Sequence, residues 1–145
     1  MKRILMIAAI ALVAVACNKN QQAVKKLEGT WDITKLEFEQ DLFGTPITVD
    51  LVDLGGSGSM TFDGCKLKKD EWCNVSTTLH DPIQDTTITT VSLYRVTNDG
   101  TVLETKENDT ASTINIITIV ELTDTDLKAN WTQDGVPVDG ELKKR

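Results

Sequence analysis

Histidine occurs once in this chain and tyrosine once, aromatic residues make up only 5% of it, and 15 basic residues face 22 acidic ones for a formal net charge of −7. Each shortage excludes something. A lone histidine, His80, would need a serine within reach and an oxyanion hole to form a hydrolase triad. No Gly-x-Ser-x-Gly elbow supplies that serine, and the Gly-Ser-Gly-Ser run at 56–59 is a loop sequence. There is no Cys-x-x-Cys pair for redox chemistry. The spacing of Cys65, Cys73 and His80 is far wider than that of usual metal-ligand pairs. Aspartate pairs such as Asp50/Asp53 and Asp124/Asp126 lack the surrounding calcium loop, and turn chemistry accounts for them. A surplus of acid is the opposite of a nucleic-acid footprint. Alanine is rare beyond Ala23 and no later window carries a helical stripe, so little helix is expected. No catalytic residue, metal or cofactor is therefore expected, and the chain reads as non-enzymatic.

What is present begins at the N-terminus. Lys2 and Arg3 precede an apolar run from Ile4 to Ala16, too short for the ~20 residues that cross a bilayer. A charged start, a short apolar core and small residues (Ala14, Val15, Ala16) describe a secretory signal, residues 1–16. The cysteine that follows at once, Cys17, makes the stretch resemble the bacterial lipobox. That resemblance implies cleavage before Cys17 and acylation of its side chain and amine with fatty chains such as palmitate. Several chains at ~0.8 kcal/mol per buried CH₂ anchor a domain essentially permanently. Residues 17–26 (CNKNQQAVKK) then read as a flexible polar tether with a reach of about 30 Å. Asn18, Lys19 and Asn20 include no aspartate of the inner-membrane retention kind, so the expected location is the outer membrane, facing the periplasm.

The remainder, 27–145, reads as one all-β domain. Trp31 and Ile33 alternate with polar neighbours, whereas Leu36 and Phe38 take the other parity, which predicts a bulge near Lys35. Thr86 to Val96 is a strand, Thr97 to Gly100 (TNDG) a hairpin turn, and Thr113 to Leu122 the most apolar strand. Eight or nine short strands at intervals of roughly 10 residues indicate an antiparallel barrel or sandwich. With Cys17 assigned to the anchor, Cys65 and Cys73 form an even pair in an oxidising compartment and are expected to be a disulfide.

Gly29-Thr30-Trp31 matches the lipocalin G-x-W signature, and YRVTNDGTVLETKE followed by INIITIVELTDTDLKANW resembles the lipocalin-like lipoproteins of Bacteroidetes. The resemblance spans about Leu27 to Lys144. It implies an antiparallel up-and-down eight-stranded barrel with a lipidated N-terminal tether. It implies that Gly29 and Trp31 plug the barrel base, with an arginine over the tryptophan, for which Arg145 and Arg95 are the candidates. Such a barrel is either filled by side chains or holds one small apolar ligand. Phe43, Phe62, Trp72, Tyr94 and Trp131 are the candidate lining if a pocket exists. The expected partners are the membrane, through the anchor, and a small apolar ligand, with no nucleic acid. The alternative is a filled barrel serving as a structural or protein-interaction module. Asp85-Thr86-Thr87 and Asp109-Thr110-Ala111 resemble short O-glycosylation sequons of the same bacteria.

Overall fold

The computed structural model describes residues 19–65 and 71–145. The signal segment 1–16, the lipidation at Cys17 and the turn between the two remaining cysteines lie outside the described residues.

Among the described residues, nine strands follow in chain order: β1 (Gly29–Leu42), β2 (Thr45–Asp50), β3 (Ser57–Phe62), β4 (Cys73–Asp81), β5 (Thr86–Thr97), β6 (Val102–Lys106), β7 (Asn115–Leu122), β8 (Asp126–Gln133) and β9 (Val136–Lys144). All neighbours are antiparallel, and β1 pairs with β9 to close the sheet. β2 and β3 lie end to end along one edge of β1: β2 pairs with Glu37–Leu42 and β3 with Gly29–Asp32. Nine strands thus make a closed up-and-down barrel of eight staves. The turns suit this path. Asn98, Asp99 and Gly100 all take positive φ between β5 and β6, and Asp134-Gly135 does the same between β8 and β9.

The β1–β9 ladder slips between Ile33 and Lys35. One extra residue there resets the side-chain parity. Leu36 and Phe38 consequently face the interior alongside Trp31 and Ile33, opposite Gly140 and Val138 of β9.

The core sits at one end. Trp31 and Tyr94 are fully buried, and Phe62, Val75, Leu103 and Leu127 nearly so. Phe62 and Tyr94 stack edge to face with ring centroids 5.1 Å apart. Each buried apolar side chain of this size contributes roughly 1.5–3 kcal/mol.

One expectation is corrected here. Residues 19–26 are not a free tether, because residues 19–27 form a helix, α1. Ala23, Val24 and Leu27 lie on one side of it and are buried under the barrel. The sequence is otherwise polar, and so short a helix is marginal alone. Docking supplies what propensity lacks: the Asn20 side chain accepts a hydrogen bond from Gly100 N at 2.7 Å, and Trp31 Nε1 donates to the Leu27 carbonyl at 2.7 Å. The packed unit therefore takes in residues 19–26 as well, and does not start at Leu27.

Candidate functional site

The base is sealed from several directions. Gly29 has φ +115, a backbone conformation suited to glycine. A Cβ there would meet Lys144 Cε at 3.1 Å. Lys144 uses that room to set its ammonium 5.3 Å from the Trp31 ring centroid and to donate to the Lys26 carbonyl at 2.8 Å. The cation over Trp31 is thus Lys144. Arg145 instead pairs with Asp32 (2.7 Å), and Arg95 pairs with Glu104 (2.6 Å) on the outer face. The two remaining cysteines form the disulfide Cys65–Cys73, with Cα atoms 5.7 Å apart. It ties the end of β3 to the start of β4 beside this base. The Tyr94 hydroxyl donates to the Asp63 carbonyl at 3.0 Å in the same corner. Burial, with Glu28 and Asp63 nearby, pushes the Tyr94 phenol up to about 12, so it stays neutral.

Above the base the barrel opens. Thr86–Ser92 of β5 pairs with β4 alone, and Glu39–Leu42 of β1 with β2 alone. Two hairpin arms thus rise beyond the closed girdle. Exposure of the inward face increases along β5: Tyr94 is buried, Ser92 half-buried, Thr90 exposed and Ile88 61% exposed. Across the mouth, Val138 is buried while Trp131, Phe38 and Leu36 are half-buried. Gly58 pairs with Leu79, on the mouth side of the Met60–Thr77–Thr90 rung. A Cβ there would come within 2.7 Å of Leu79 Cδ2 and 2.9 Å of Ile33 Cδ1, so these side chains occupy the room its bare backbone leaves.

The two walls differ chemically. Leu36, Phe38 and Val138 face inward from β1 and β9, joined by Trp131 of β8 and Ile117 of β7 through the paired positions Phe38–Val138, Val138–Trp131 and Trp131–Ile117. Opposite them, Thr77, Thr90, Ser92 and Thr105 face inward from β4, β5 and β6, in register with Met60, Val75 and Tyr94. No inward position on the strands between Ile33 and the mouth carries a lysine, arginine or glutamate; Asp81 stands at the rim.

The five aromatic candidates for the lining are not brought together. Phe62 and Tyr94 belong to the sealed core. Trp72 lies on the outer face between the Arg95 guanidinium and the Lys106 ammonium, each 4.5 Å from its ring. Phe43 is fully exposed at the β1–β2 turn. Trp131 alone of the five joins the accessible wall. Parity sorts them: Trp72 is one residue from the inward Cys73, hence outward. The hydroxyl wall was missed, although its period of two was readable once Val75 and Tyr94 fix which face is inside. His80 Nδ1 lies 3.3 Å from the Thr87 hydroxyl, in a cross-strand pair on the outer face. Asp50 accepts from the amides of Leu36 and Val52, which is turn and bulge chemistry.

Among known proteins, no family model matches the chain and no curated protein matches it. A solved siderocalin, Ex-FABP, described as functioning through dual ligand specificities, superposes with a TM-score of 0.55 at 15% identity, over 83% of this chain and 74% of the siderocalin. The barrel has the lipocalin fold. At that identity the likeness concerns the fold alone. In this lipocalin-like barrel, G-x-W stands at the sealed end and the cup at the other.

Proposed function

We propose that this chain is a lipid-anchored envelope protein of the lipocalin-like type that carries a small, largely apolar molecule in its cup. One observation supports the carrier most: the inward residues above the sealed core stay accessible, Leu36, Phe38, Ser92 and Trp131 being half-buried and Ile88 61% exposed. A filled barrel would bury them. Apolar walls with a few polar groups are the usual make-up of small-molecule sites. The solved neighbour is itself described by its ligand specificities.

The anchor rests on the sequence of the leader and Cys17. With Cys17 lipidated, α1 leaves almost no slack between the acyl chains and the base. The closed end then rests near the bilayer and the mouth faces away from it, into the periplasm if the outer membrane is the host. A second reading, an interaction module, is favoured by the outer face of β7–β9. There a groove of about 600 Å³ is bordered by Ile114, Ile116, Thr118 and Pro137, and reaches Trp131 and Val138.

Native mass spectrometry of the folded domain, purified from its own host, tests the carrier: a co-purifying small molecule is expected, and an empty barrel that also refuses apolar dyes overturns it. Fractionation tests the anchor. Wild-type protein should sediment with membranes and take up labelled palmitate, and Cys17→Ser should do neither. Equal sedimentation of the two overturns lipidation.

A further inference from the structure

The carrier reading leaves the chemistry of the cargo open, and the two walls of the cup narrow it. On the outer face of the barrel, hydroxyls satisfy one another: Thr78 of β4 with Thr89 of β5 at 3.0 Å, and Thr30 of β1 with Thr61 of β3 at 3.1 Å. On the inner face, Thr77 and Thr90 also occupy directly paired positions. Yet among the described residues no side-chain hydrogen bond joins Thr77, Thr90, Ser92 or Thr105 to any other group. Four hydroxyls therefore face the cup with free donor and acceptor capacity. A purely hydrocarbon cargo covering them would strand that capacity, which is unfavourable.

Charge narrows the cargo further. An ionised group buried in the cup would find no lysine or arginine on the inward strand positions above the core, and an unpaired buried charge is strongly disfavoured. The approach is biased the same way. The loops and strand ends around the mouth carry Asp41, Asp53, Asp81, Asp85, Asp109 and Asp134; Lys106, at the end of β6, pairs with Asp109, and the turns themselves contain no lysine or arginine. Such a rim repels anions and lowers their encounter rate.

We propose that the cup takes an uncharged amphipathic molecule, its apolar body against Leu36, Phe38 and Trp131 and its polar edge turned to Thr77, Thr90, Ser92 and Thr105. This rests on the carrier reading and adds the class of cargo. Anionic amphiphiles, including free fatty acids above their pKa, are selected against by the missing cation and the acidic rim together.

The test loads the purified protein with the neutral dye N-phenyl-1-naphthylamine at pH 8. It then compares displacement by 1-monolauroylglycerol and by laurate, which share one chain and differ in the head. The monoester should displace dye at least about tenfold more tightly, as expected when several hydrogen bonds form on one side and an unpaired charge is refused on the other. The Thr90→Val/Ser92→Ala variant should keep the wild-type circular dichroism spectrum and lose most of that preference. Thr90→Lys should shift it towards laurate. Equal displacement by the two lipids, or a preference that survives the double variant, overturns the inference while the carrier reading stands. Failure of the dye to enter at all overturns both.

Discussion

Trp31 and Leu27 are joined by a hydrogen bond from the indole nitrogen to the helical carbonyl, 2.7 Å long and buried. The first strand and the helix beneath it are therefore one structural unit. Leu27 is fully buried, so Leu27→Ala should destabilise the barrel by about 2–5 kcal/mol. Trp31→Phe, which keeps an aromatic body and strands the Leu27 carbonyl, should lower stability by about 2 kcal/mol. Urea unfolding followed by circular dichroism measures both. A silent Leu27→Ala would mean that the segment is a free tether after all.

The Cys65–Cys73 bridge closes a loop with a sequence separation of 8. Chain-entropy arguments give about 2.5 kcal/mol for a loop of that length. Cys65→Ser/Cys73→Ser, or wild type in reductant, should unfold at lower denaturant by that amount. The dye should still bind, because the bridge lies at the base and the cup at the other end.

Tyr94 gives an alkaline signature. Its folded pKa is raised from 10.0 to about 12, so the neutral phenol is the form the fold favours. The stability this provides is fully present below about pH 10 and is lost as the pH rises through 12. Wild type should lose stability over that window relative to Tyr94→Phe. The variant gives up the bond to Asp63, about 1 kcal/mol at neutral pH. Tyrosinate absorbance reports the same titration, since the chain has one tyrosine.

Asp32 and Asp126 act at the other end of the scale. The hydrogen bond from Arg145 lowers the Asp32 pKa, and hydrogen bonds from Thr125 and then Lys143 lower that of Asp126. A depressed folded pKa stabilises above the unfolded value, near 3.8, and the contribution disappears as the pH falls below it. Both groups are exposed, so salt screens them. Asp32→Asn should differ from wild type only slightly, at low salt and above about pH 4. In high salt the two denaturation curves should coincide.

Much of this was legible beforehand. Alternation around Trp31 and Ile33, the parity change before Leu36 and the TNDG turn all correspond to observed features, because strand parity and turn chemistry are local. The disulfide followed from counting cysteines once Cys17 was set aside. The helix at 19–27 was not legible, because its stability comes from docking on the barrel, as in the bond from Gly100 to Asn20, whose partners are 80 residues apart. The aromatic lining failed for a related reason. Size and apolarity mark an aromatic residue, whereas depth along the barrel decides whether it seals the base, as Tyr94 does, or lines the cup, as Trp131 does. Lys144 over Trp31 was missed because its position depends on β9 crossing β1.

The base and the cup are built from different residues, with a consequence for change over time. Trp31, Phe62, Val75, Tyr94, Leu103 and Leu127 are buried and make the chain fold; Thr77, Thr90 and Trp131, which stay accessible, are those that meet the cargo. The two sets hardly overlap. Substitutions at Thr77, Thr90 or Trp131 can alter selectivity while the base holds the barrel together, so the recognition surface is free to diversify on an unchanged footing.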